Sequence, residues 1–246
     1  MKLHNHGPIA TALLGATVIL GAACSRPEPP RTVHEQAESR AAQQSIVERS
    51  AAAFTRLREQ AGAGVVDGYL ERARGVMIFP RLVKASLILG GQGGNGVLVA
   101  KGADGSWSNP AFYSLGAPSV GFQIGYQEAT VVLFFMDDSV LQRALHADVT
   151  LGASTSAALG DVGKEKSETE LFSKPIYQLV EARGAFAGAS LDGYVISARN
   201  KHNQAYYGAP ATPRSILIDR VHTQPGADVL LRALATSSAQ AVSAHP

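Results

Sequence analysis

The run Gly90–Gly96, GGQGGNG, satisfies G-x-G-x-x-G at Gly91, Gly93 and Gly96. That pattern holds a dinucleotide pyrophosphate when the glycines end a strand and open a helix. Here they run into Val97-Leu98-Val99-Ala100 and then a turn, KGADGSW, so no helix N-terminus is available. A Walker loop fails as well, because Val97 follows Gly96 where Lys-Ser/Thr is needed. The spacing predicts a strand, a glycine turn or bulge using positive φ and close backbone approach, and a second strand. His34-Glu35 begins like a zinc-peptidase helix, but Glu38 stands where the second histidine belongs. GASLD at Gly188–Asp192 lacks the closing glycine of a nucleophile elbow around Ser190. Asp137-Asp138 reads as a helix cap with a dipole partner, and Asp161 as a turn residue. None of the seven histidines falls in a triad spacing. The chain therefore reads as noncatalytic, with no cofactor and no metal.

Cations offer a different chemistry. Arg72, Arg74, Arg81 and Lys84 crowd a short stretch with Glu71 as the nearby acid, and Lys101 follows the next strand. Clustered cations beside apolar surface suit phosphate headgroups. Arg81 and Lys84 are the leading candidates for contact with an anionic partner, with Arg74 and Lys101 as accessories. The competing reading is solvated strand-end charge that blocks edge-to-edge pairing. Arg183, Arg199 and Lys201 form a second candidate basic edge. With 22 Lys and Arg against 20 Asp and Glu, the net charge of +2 excludes a protein built to neutralise a nucleic-acid backbone.

The elements that must position these residues follow from periodicity. Apolar residues at Ile46, Val47, Phe54, Leu57 and Ala61 stripe one helix from about Glu35, and Val66, Tyr69, Leu70 and Ala73 stripe a second after the AGAG break. Short apolar or alternating runs then predict strands at 75–79, 86–89, 96–100, 119–126, 130–135, 149–158, 176–182, 185–191 and 194–198. Helices are expected at Asp137–Leu145 and Asp228–Leu234. The expected fold is α+β: a glycine-rich, mainly antiparallel sheet or barrel-like core with N-terminal helices and a short C-terminal helix. At 46% hydrophobic residues over 246 positions, one sizeable core is the expectation.

The N-terminus carries Lys2, an apolar run from Ile9 to Leu20, and small residues before Cys24, the chain's single cysteine. This is the layout of a secretory signal over residues 1–23. Cys24 is the candidate lipidation site, with simple cleavage or an uncleaved anchor as alternatives, and one cysteine excludes an internal disulfide. SRPEPPRT reads as a tether over residues 24–34, followed by one domain at 35–236 and a polar tail at 237–246.

Taken in order, ARGVMIFPRLVKASLILGGQGGNGVLVAK, GSWSNPAFYSLG, GFQIGYQ, DVTLGAS, RGAFAGASLDG and NQAYYG resemble the SYLF domain, also described as a Ysc-type actin-binding or DUF-type lipid-binding domain. The resemblance runs from about Val65 to Leu234. It implies binding of phospholipid with a phosphoinositide-like anionic headgroup, which makes Arg81 and Lys84 the expected headgroup contacts and Arg74 and Lys101 the accessories, and with the leader it points to the bacterial lipoprotein branch of the family. The expectation is then an exported protein, anchored at the outer membrane or periplasmic face or otherwise periplasmic or secreted. Its partner would be an anionic phospholipid or membrane surface. The alternative is a structural module that meets an envelope protein. The leader argues against actin as a native partner.

Overall fold

The computed structural model describes residues 33–86, 90–119, 125–152, 157–159, 174–182, 185–186 and 191–235. The chain divides into residues 1–31 and 32–246, and all described residues lie in the second unit. The expected leader, Cys24, residues 24–32 of the tether and the polar tail lie outside the described residues, while Val33 and His34, expected in the tether, already belong to the first helix.

Two helices open the domain, α1 (Val33–Ala61) and α2 (Ala63–Arg72). Positions 43, 46, 47, 50, 54, 57 and 61 of α1 are buried, the spacing of one face of a 3.6-residue helix. Gly62, at φ 89, separates the two helices, a conformation that glycine adopts without Cβ strain. The sheet follows: β1 (Gly75–Ser86), β2 (Gly90–Ala100), β3 (Ala111–Ser119) and β4 (Gly125–Phe135), then β5 (Val149–Thr150), β6 (Ala157–Leu159), β7 (Ile176–Ala182), β8 (Ala185–Phe186) and β9 (Val195–Ala198). Their order is β5-β9-β3-β2-β1-β4-β7-β6, with β8 paired to β7. Every pairing is antiparallel except β6 with β7. Helices α3 (Asp138–His146), α4 (Asn200–Tyr207), α5 (Pro213–Leu217) and α6 (Asp228–Leu234) complete the domain. The α+β expectation holds: N-terminal helices, a mostly antiparallel curved sheet forming a half-barrel, and C-terminal helices.

The central strands are apolar throughout because both faces of the sheet are covered. Val76, Ile78, Val97, Val99, Val132 and Phe134 face a core shared with α1, α2 and α6, while Met77, Phe79, Leu98, Leu133 and Phe135 face one shared with α3 and α5. Tyr69 fastens α2 to the first of these cores, its ring stacked on that of Phe134 at 5.2 Å and tilted against that of Tyr177 at 5.3 Å.

The glycine run corrects the sequence reading. All of GGQGGNG lies within β2, paired with β3 along its whole length and with β1 at Gly91, Gln92 and Gly93. Neither Gly94 nor Gly96 has positive φ. What they provide is room. The β1–β2 register slips between Ile78 and Val83, and the β1–β4 register between Phe79 and Leu82, so the segment around Pro80-Arg81 bulges out of β1. A Cβ on Gly94 would lie 2.3 Å from the Arg81 carbonyl oxygen, and one on Gly96 would lie 2.1 Å from that of Ile78. The strand expected at 75–79 is the start of a longer β1 that runs to Ser86, and residues 87–89 of the strand expected at 86–89 lie outside the described residues. β3 begins at Ala111, ahead of the strand expected from Ser119.

Candidate functional site

The four expected headgroup contacts separate into two groups at opposite ends of β1. Arg74 precedes the strand, and its backbone carbonyl accepts the Lys101 amide at 2.8 Å. Arg81 and Lys84 lie toward the other end. Seven residues of regular strand would put Arg74 and Arg81 about 23 Å apart, a span that the bulge at Pro80-Arg81 shortens. A single phosphate group cannot bridge that span.

The described cations also have partners inside the protein. Arg81, exposed beside the bulge, pairs with Glu128 of β4. The Arg74 Nε lies 3.7 Å from Asp138 Oδ2, and both side chains are exposed. Such surface pairs contribute little to stability. Lys84 sits in β1 opposite Gln92 and Gln127, and its side chain lies outside the described residues. Arg183 also lies outside them, whereas Arg199 places Nη2 3.3 Å from His202 Nε2.

Lys101 has a structural task. Its ammonium donates to the carbonyl oxygens of Leu70 and, at 3.0 Å, of Glu71, so it binds the last carbonyls of α2. The Nζ also lies 4.8 Å from the centre of the Trp107 ring, a cation–π arrangement. Burial pulls its pKa below the ordinary lysine value, Glu71 opposes that shift, and Arg74 adds to it.

The adjoining loop is fixed by a residue that the sequence reading passed over. Arg220, at φ 52, donates to Ser106 Oγ at 2.7 Å and to the Ser106 carbonyl at 2.8 Å, and lies 3.7 Å from Asp104. Hydrogen bonds from Ser106 hold the Asp104 carboxyl below the usual carboxylate range, with Arg220 contributing less. Gly102 leaves room for the clasp, since a Cβ there would meet Arg220 Nη2 at 2.5 Å. Trp107, the chain's single tryptophan, was the available signal for this region.

Elsewhere, Asp137 caps α3 as expected, its Oδ1 accepting the Ser139 amide at 2.6 Å. His34 and Glu38 form an exposed pair at 3.3 Å on α1. Among the described residues, no group of three or more His, Cys, Asp and Glu side chains is placed to hold a metal ion. No described helix is long and apolar enough to cross a membrane.

Comparison with known proteins supports the SYLF/Ysc84 resemblance. Residues 116–237 match the family described as "Ysc84: Las17-binding protein actin regulator". The chain is 32% identical over 171 residues to Protein YSC84 of Saccharomyces cerevisiae, a match covering 67% of this chain and 36% of that protein. It is 30% identical over 171 residues to LAS seventeen-binding protein 3 of the same species, covering 67% of this chain and 37% of the relative. It is 29% identical over 141 residues to the human SH3 domain-containing YSC84-like protein 1, covering 56% and 41% respectively. The chain thus spans less than half the length of these relatives.

These eukaryotic relatives overturn four expectations. The bacterial lipoprotein branch gives way to similarity with yeast and human proteins, and with it go the bacterial-envelope function, its envelope-protein alternative, and the outer-membrane, periplasmic or secreted location. The judgement against actin is reversed by the family's own description as an actin regulator. All four had rested on the N-terminal segment, whereas the family-model match covers residues 116–237. The noncatalytic reading agrees with relatives whose descriptions name binding and regulation.

Proposed function

We propose that this chain carries a noncatalytic Ysc84-type module that binds a component of an actin-regulatory assembly. The observation carrying this reading is the match of residues 116–237 to a family described as a Las17-binding actin regulator. That span includes part of β3 and everything from β4 through α6. A sheet covered on both faces by helices supports the reading as a rigid scaffold, leaving loops and strand ends for contact. The test is high-speed pelleting of the full chain with actin filaments. Saturable enrichment in the pellet supports direct binding, and its absence across filament concentrations overturns direct binding to actin.

A headgroup role for Arg81 and Arg74 is a second, separable proposal. Its support is the exposure of Arg74 and Arg81, whose carboxylate partners are equally exposed and held by weak surface pairs. Pelleting with anionic vesicles, reduced by salt and by Arg81→Glu, is expected if those residues contact phosphates. Equal recovery with neutral vesicles would remove this role.

A further inference from the structure

A cavity of about 460 Å³ opens between the end of α2, the loop leading to Trp107, and α6. Leu70, Trp107, Leu231 and Leu234 form its apolar lining, and Lys101 and Glu71 bring charge to it. Its volume is that of a small-molecule site, and its composition follows the usual plan of a mostly apolar wall with few polar groups. Loop and helices are all tied down: Arg220 clasps the loop, Lys101 holds the end of α2, and Arg58 Nη1 donates to the Ala235 carbonyl at 3.2 Å just beyond α6. The walls are therefore preorganised, which reduces the ordering cost of binding.

We propose that this cavity binds one amphiphilic monocarboxylate, with its carboxylate at Lys101 and its apolar body against Leu231 and the Trp107 ring, over the buried Leu70 and Leu234. An ammonium has three donors, and the carbonyls of Leu70 and Glu71 take two of them. One charge-assisted hydrogen bond to a ligand anion remains. Trp107 already has Lys101 against its ring, so a second cation is disfavoured there. Glu71 sets an upper limit on the ligand's charge: a singly charged head gains from Lys101, whereas a doubly charged phosphate is repelled more strongly by the nearby carboxylate. The inference concerns a single-molecule site and stands independently of the actin-pathway reading.

Trp107 makes the site observable, because it is the chain's only tryptophan and it lines the cavity. The experiment titrates the full chain with decanoate below its aggregation concentration and reads tryptophan fluorescence. Decylammonium serves as the control with the same alkyl chain length and opposite charge. A saturable change is expected with decanoate, and at least tenfold weaker binding with decylammonium. Leu231→Asp, which places a carboxylate on the apolar wall without touching the Lys101 contacts, is expected to weaken decanoate binding at least tenfold. Glu71→Gln is expected to tighten it severalfold, and because Glu71 is exposed this variant tests the charge argument without disturbing the core. No saturable response to decanoate, equal binding of decylammonium, or weaker binding in Glu71→Gln would each overturn the proposal.

Discussion

Arg58 of α1 and Asp67 of α2 meet at 2.8 Å, with side chains only 15% and 16% exposed. This pair joins helices that are consecutive in sequence, and the same guanidinium reaches the Ala235 carbonyl after α6. It therefore couples the N-terminal helices to the end of the described domain. Removing one partner leaves a mostly buried charge without its counterion, which costs more than the intact pair gains. Arg58→Ala should destabilise the protein by about 2 kcal/mol, below the fully buried range because both groups retain some solvent. Urea unfolding of Arg58→Ala, Asp67→Ala and the double variant should give a double variant less destabilised than the sum of the singles. Additive losses would mean that the two side chains do not act as a pair.

The β1 bulge predicts a ranking among glycine substitutions. Gly94→Ala and Gly96→Ala each drive a methyl group into a backbone carbonyl of β1, at 2.3 Å and 2.1 Å respectively. Backbone cannot rotate aside as a side chain can, so losses of about 3 kcal/mol are expected. Gly68, within α2, has nothing within 4 Å of a built Cβ. Gly68→Ala should stabilise by about 0.5–1 kcal/mol through helix propensity and reduced freedom of the unfolded chain. Thermal midpoints of the three variants give the order directly.

The glycine positions also show where sequence reading stops. A glycine run between apolar runs looks the same whether it turns or makes room for a neighbour, and only the register with Pro80-Arg81 decides. The central strands were legible because GVMIF and VVLFF are apolar on both faces, as a doubly covered sheet requires. Helix α4 was not, since NKHNQAYY has no apolar stripe and buries Asn203 and Tyr206 instead. The basic residues were legible as charges, but their partners were not: Glu128 lies 47 positions from Arg81, and Leu70 lies 31 from Lys101. The cavity escaped for the same reason, since α2, the Trp107 loop and α6 come together only in the fold.

Three tyrosines predict loss of stability in alkali. Burial raises the pKa of Tyr113, whose hydroxyl donates to the Ala144 carbonyl at 2.9 Å, and of Tyr207, whose hydroxyl donates to the Pro110 carbonyl at 2.7 Å. For Tyr206, burial leads, and Glu48 and Asp228 add to it. A group whose folded pKa exceeds its unfolded value stabilises fully below the unfolded value, which for tyrosine is about 10, and loses that contribution as pH rises toward the folded value. Stability should therefore be insensitive to these groups at neutral pH and fall above about pH 10. Ultraviolet titration should show them ionising together with the loss of circular dichroism. Ionisation of all three before any structural change would contradict their burial.

Asn203 provides the most local of these tests. It is fully buried on α4, and its Oδ1 accepts the amide of Phe112, at the start of β3, at 2.7 Å. The neighbouring Phe112 carbonyl is bonded to the Arg199 amide, so α4 and the residue before it close both backbone groups of Phe112. Asn203→Ala leaves the Phe112 N–H without its acceptor in a dry site and should cost about 2–3 kcal/mol, combining the orphaned donor with the small cavity. Asn203→Asp keeps the acceptor and removes Nδ2, which has no partner in the protein, but it introduces a buried carboxyl. Burial raises the folded pKa of such a carboxyl, so the variant's stability relative to the parent should improve as pH falls from 7 toward 5. The Ala variant has no such group, and its deficit should stay constant over that interval. Urea midpoints at the two pH values separate these behaviours, and an Asp variant with a pH-independent deficit would show that position 203 is wetter than the packing implies.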